Sequence, residues 1–130
     1  MKTALAFHEL TVWQRSIELS VQIYGFTRAF PKDEIFGLTN QLRRASVSIS
    51  SNIAEGQSRL TRGEFINFLS IARGSNAEVR SQLALARRLN FGDETQNARC
   101  QSLATEISKM LNALITTLKS KSPPPPRPNP

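Results

Sequence analysis

Apolar residues in this chain recur at alternating spacings of three and four along four separate stretches, and nowhere alternate with period two for long enough to make a strand. That pattern predicts an all-α fold. Over residues 10–30, Val12, Trp13, Ile17, Leu19, Val21, Ile23, Tyr24 and Phe26 fill two neighbouring stripes, which predicts a first helix covered on more than one side. Phe30-Pro31 ends it, because a residue preceding proline is pushed out of the helical region. Asp33 and Glu34 place acid where the dipole of a second helix favours it. The stripe Leu38, Leu42, Ala45 and Ile49 carries that helix through Asn52 to Gly56, a suitable stop.

Thr61-Arg62-Gly63-Glu64 has the spacing of a capping box and opens a third helix. Phe65, Phe68, Leu69, Ala72, Val79, Leu83, Ala86 and Leu89 continue it to about Asn90. Phe91-Gly92-Asp93 then supplies a turn and a new cap. The fourth helix carries Cys100, Leu103, Ile107, Met110, Leu114 and Leu118 on one face. Four long amphipathic helices joined by short turns pack most simply as an up-down-up-down antiparallel four-helix bundle, here over residues 1–121. Residues 122–130, SPPPPRPNP, offer nothing to a core and read as a disordered proline-rich tail, with a proline-rich docking ligand as the lesser reading.

The segment 41–56, QLRRASVSISSNIAEG, crowds Ser46, Ser48, Ser50 and Ser51 into the second helix. Serine is a mediocre helix former, so packing against neighbours must hold this stretch helical. Small side chains serve close helix approach, the plainer reading; a polar, anion-contacting surface of Arg43, Arg44, Asn52, Arg59 and Arg62 is the sharper one. Gly74-Ser75 falls inside the third helix and Gly25 inside the first, which implies close backbone contact or a kink at each. In an antiparallel hairpin Glu78 lies about one turn from the level of Arg43, so an ion pair between them is expected. Asn52, Ser75 and Glu78 are therefore candidate structural polar groups rather than catalytic ones.

Seventeen Lys and Arg against ten Asp and Glu leave a formal charge of +7, and twelve of the seventeen are arginine. This balance favours polyanions or acidic partners, because guanidinium binds phosphate and carboxylate bidentately. Arg73, Arg80 and Arg87 stand seven apart, nearly on one line. No residue three or four positions from any of them is acidic, so the usual intrahelical partners are missing. Water, carboxylates elsewhere or phosphates must serve instead.

Catalysis has little support. His8 is the sole histidine and has no metal-ligand cluster around it; phosphate-binding glycine loops and a nucleophile elbow are absent. No cofactor or metal is expected. Cys100, the one cysteine, reads as a core residue and excludes an intrachain disulfide, which makes the cytoplasm the default location. Residues 1–7 do not form a secretory leader, and no apolar run approaches the ~18 residues of a membrane span.

Several of these residues carry a family resemblance. Trp13-Gln14, Phe30-Pro31, Glu34-Ile35-Phe36-Gly37-Leu38, Gln41-Leu42-Arg43-Arg44-Ala45, Ser48-Ile49, Asn52-Ile53-Ala54-Glu55-Gly56, Phe68-Leu69 and Ala72-Arg73-Gly74-Ser75 with Glu78 resemble the 23S rRNA intervening-sequence protein family, over about residues 7 to 120. That family is similar in fold to the accessory protein of diversity-generating retroelements. The resemblance implies a four-helix bundle assembling as a homopentamer, and suggests RNA contact. Two readings result. One is a non-enzymatic oligomer that binds RNA or DNA backbone through Arg43, Arg44, Arg59, Arg62, Arg73, Arg80 and Arg87. The other is an oligomeric scaffold for a protein partner whose arginines serve subunit contacts.

Overall fold

The computed structural model describes residues 6–121, and these contain four α-helices, two single 3-10 turns and no strand. The helices are α1, Thr11–Thr27; α2, Leu38–Gln57; α3, Arg62–Arg88; and α4, Glu94–Ser120. The 3-10 turns are Phe7–Glu9 and Lys32–Glu34. The segment read as a disordered tail lies outside the described residues.

Each helix packs against the two beside it in a closed ring, α1 on α2, α2 on α3, α3 on α4 and α4 back on α1, while the diagonals do not meet. Neighbours run in opposite directions. The end of α3 meets the start of α4 through Arg87 and Glu94, and the start of α3 meets the chain beyond α4 through Arg62 and Lys121. Arg15 near the start of α1 reaches Glu106 at the middle of α4, while Phe26 near the end of α1 meets Gly92 just before α4 begins. The core is a column of fully buried aliphatic residues, including Leu19, Ile23, Leu42, Ile49, Leu69, Leu83, Ile107 and Leu111, closed at one end by Phe26 edge-on to Phe30 and by Phe91 tilted against Phe30.

Side-chain caps form at the predicted starts of α3 and α4, but of the predicted capping box only the Thr61 half is bonded among the described residues, without the return bond to the Glu64 carboxylate. Thr61 Oγ1 accepts from the Glu64 amide at 3.1 Å, and Asp93 Oδ2 accepts from the Gln96 amide at 2.9 Å. Between these helices Asn90 takes the left-handed conformation at φ 58°. The Asn90 amide bonds to Arg87 O and the Phe91 amide to Ala86 O, which together make a Schellman stop. Gly92 follows at φ 77°, with no room for a Cβ against the Phe26 ring.

Four local expectations are corrected. The second helix does not begin at Asp33: those residues make a 3-10 turn, and Glu34 instead caps α2 by accepting from the Leu38 amide at 3.1 Å. Gly56 is helical, and α2 runs on to Gln57. The absent side chain matters because a Cβ there would stand 2.7 Å from Phe68 Cβ, so Gly56 is a point of close α2–α3 approach rather than where α2 stops. Gly25 and Gly74 have open space where a Cβ would be, and neither is a close-contact point within the chain. In α4 the deepest stripe includes Ala104, Leu111 and Ile115, while Met110 and Leu114 are only partly covered; an α-helix turning 3.6 residues per turn drifts off a strict spacing, so the buried line migrates across the face.

Candidate nucleic-acid interface

The line of arginines predicted on the third helix lies along the α3–α4 seam, and α4 supplies the partners that α3 lacks. Arg73 donates to Asn112 Oδ1 at 3.0 Å. Arg87 forms an exposed ion pair with Glu94, with its Nη2 2.9 Å and its Nε 3.1 Å from the same oxygen, Oε1. The Arg80 side chain has no partner among the described residues, although its backbone carbonyl accepts from Gln101 Nε2 at 2.9 Å. Three guanidinium groups thus face one carboxylate. From Arg73 to Arg87 the rise is about 21 Å, roughly six phosphate steps of one duplex strand.

Below the exposed row, two buried amides fasten the seam. Asn76, only 1% exposed, donates to Ala104 O at 2.8 Å, and Asn97 donates to Leu83 O at 2.9 Å. Each places its buried amide donor on a carbonyl of the facing helix, which fixes the register of α3 on α4, although Asn76 Oδ1 has no partner among the described residues. Sequence reading missed both, and both carry a sequence signal: amides placed within an apolar stripe. Arg88, also missed, is exposed and shares an open groove of about 560 Å³ with Ala84, Arg87 and Gln101. It sits one residue beyond the predicted line.

The remaining predicted arginines do not join this face. Arg43 turns toward α1, where its Nε donates to Thr27 Oγ1 at 2.9 Å and its guanidinium lies 4.6 Å from the centre of the Tyr24 ring. The expected Arg43–Glu78 ion pair therefore does not form. Arg43 and the residues of α2 that face α3 are on different sides of the helix, since one residue step rotates a side chain by about 100°. Arg44, one step on, is exposed and unpartnered among the described residues. Arg59 pairs with Glu55 at 3.3 Å and lies over the Phe68 ring at 4.8 Å, and Arg62 donates to Lys121 O at 3.0 Å.

Of the polar residues of segment 41–56, Gln41, Arg44 and Ser48 line the α2–α3 seam. Ser48 and Ser75 hydroxyls stand 2.8 Å apart, and Asn52 Nδ2 donates to both Ser48 O, at 2.8 Å, and Ser48 Oγ, at 3.0 Å. Asn52 and Ser75 are thus both bonded through Ser48. Glu78 is exposed and makes no bond or ion pair among the described residues. On the opposite side of the molecule Ile17, Val21, Tyr24 and Val47 of α1 and α2 remain exposed, Val21 by 67%. These include the second apolar stripe of the first helix, uncovered within the chain.

His8 is exposed in the first 3-10 turn, edge-on to Phe7. Cys100 is buried beneath α1, and desolvation pushes its thiol up to about 11. No described helix is long and apolar enough to cross a membrane.

The fold and this surface define a class: a four-helix bundle with a basic seam between its last two helices. The chain belongs to the 23S rRNA-intervening sequence protein family, whose model matches residues 8–113. It is similar to a solved structure of a protein of unknown function from the S23 ribosomal protein family of Bacteroides thetaiotaomicron. The two share 30% identity and a TM-score of 0.73, over 81% of this chain and 98% of that one. No curated protein matches the sequence.

Proposed function

We propose that this chain is a non-enzymatic nucleic-acid-binding protein that holds phosphate backbones along the α3–α4 seam and works as an assembly of several copies. The observation that carries the reading is the row Arg73, Arg80 and Arg87, presented outward and met by one carboxylate. A row of this kind serves backbone contact without strong sequence choice. Its membership in a family named for ribosomal RNA inserts agrees with RNA as the ligand. Self-association draws support from the uncovered stripe Ile17, Val21, Tyr24 and Val47, because a contiguous apolar patch on a soluble chain is the usual mark of an interface. A pentamer is the number the family resemblance implies, and native mass spectrometry reads it directly.

Binding of labelled structured RNA and duplex DNA, measured from ~50 to 300 mM salt, tests the proposal. The expected result is saturable binding whose affinity falls steeply with salt. Replacing Arg73, Arg80 and Arg87 together by Gln should make that slope shallower by about two to three ions and lower the affinity on the order of 100-fold at low salt. Absence of saturable binding at the lowest salt overturns the reading. In that case the scaffold reading, which makes the arginines subunit contacts, predicts that the triple variant falls apart into single chains.

A further inference from the structure

Arg44 and Glu78 line one open groove between α2 and α3, of about 400 Å³, and carry opposite charges, yet neither bonds to the other or to any described residue. Ion pairs close elsewhere among the described residues, Arg15 on Glu18 and Glu106, Arg59 on Glu55, and Arg87 on Glu94, but not here. The floor of this groove is already bonded. Ser48 and Ser75 hold each other and Asn52 holds Ser48, so the small side chains that open the space are fixed in place. At one end Gln82 lines the groove, and its Oε1, shielded from water, receives no donor.

A surface meant only for phosphates gains nothing from a carboxylate, which repels them. Glu78 calls for N–H donors, and Arg44 beside it calls for acceptors. An unpaired guanine base presents both, because N1–H and the 2-amino group suit a carboxylate while O6 and N7 suit a guanidinium. Specific recognition of RNA turns on such unpaired bases, read along their edges. The route from the arginine row to the groove crosses the outer side of α3 at Gly74, Ala77 and Ser81, all exposed and all small, with open space where a Gly74 Cβ would stand. A backbone held at Arg73 and Arg80 can cross that low saddle and place a base on the other side.

We infer that the α2–α3 groove is a base-reading site that accepts an unpaired guanine, with Glu78 and Arg44 as its two contacts. The inference rests on the proposal that the chain binds nucleic acid and adds a preference to it. It is tested with full-length protein and a set of single-stranded oligouridines carrying one central guanosine, adenosine, cytidine, uridine or inosine. The guanosine oligomer should bind about tenfold more tightly than the all-uridine one, and inosine, which lacks the 2-amino group, more weakly than guanosine. Glu78→Gln and Arg44→Gln should each lower the ratio of guanosine to uridine affinity, and the double variant should bring it to about one. Equal binding of every oligomer by the wild-type protein overturns the inference and leaves backbone binding standing. A Glu78→Gln protein that binds all oligomers more tightly by one common factor also overturns it, since Glu78 is then only a repelling charge. Failure to bind any oligomer or structured RNA removes the parent proposal as well.

Discussion

The α1–α2 face and the α3–α4 face solve opposite problems with the same residue types. On the first, an arginine is folded inward, Arg43 onto Thr27 and Tyr24, while Ile17, Val21 and Val47 are left outside. On the second, the arginines face solvent and the interior is fastened by Asn76 and Asn97. An exposed aliphatic side chain has no use for water and a row of guanidinium groups has little use for a hydrocarbon surface, so the two faces suit different partners. The lesson is that net charge describes this chain poorly. Where each arginine is anchored decides what its surface can do.

That contrast can be broken at the apolar face first. Ile17→Glu with Val21→Glu should weaken the proposed self-association on the order of 100-fold, because each would bury an unpaired charge at a contact; sedimentation equilibrium measures the change, and the salt slope of the proposed nucleic-acid binding should stay as it was. A smaller effect, common to both faces, is expected at Gly56. Its Cβ would stand 2.7 Å from Phe68 Cβ, so Gly56→Ala must spread α2 from α3, costing about 1–3 kcal/mol in urea unfolding.

Cys100 gives a sharper probe of the α1–α4 side. Its thiol is raised from 9.0 to about 11 by burial, so the folded chain holds this proton more tightly than the unfolded one. Stability from it is complete below about pH 9 and is lost as pH climbs through 11, by about 1 kcal/mol at pH 10. Urea unfolding of wild-type and Cys100→Ala proteins between pH 8 and 10.5 should show the wild type falling more steeply. The smallest expected difference is between adjacent arginines: Arg43→Gln should cost about 1 kcal/mol of stability through its lost hydrogen bond and ring contact, and Arg44→Gln less than ~0.5 kcal/mol. Equal costs would mean that Arg43 is not anchored inward.

Features set by near neighbours in the chain were legible from the sequence. The Thr61 and Asp93 caps each depend on a residue three positions away, and the apolar stripes needed only helical periodicity. Features that depend on what lies across a seam were not. Gly56 has the same sequence appearance as a helix stop or a packing glycine, and Phe65 and Phe68 on α3 decide between them. Arg43 and Arg44 differ only by Thr27 and Tyr24 standing opposite one of them. Within the candidate site, the spacing of Arg73, Arg80 and Arg87 was visible, but their uneven neutralisation depends on Asn112 and Glu94 of α4.

That unevenness gives α3 a direction. Arg62 and Arg73 lie toward the end of the helix where the backbone dipole is positive, whereas Arg87 is cancelled by Glu94 at the end where it is negative. Positive charge along the helix is therefore uneven, with Arg88, exposed beside the Arg87–Glu94 pair, the one open guanidinium at that end among the described residues. A polyanion approaching this face would therefore meet Arg73 and Arg80 as open positive charge and Arg87 as one half of an ion pair, so the two ends of the row would not hold it equally.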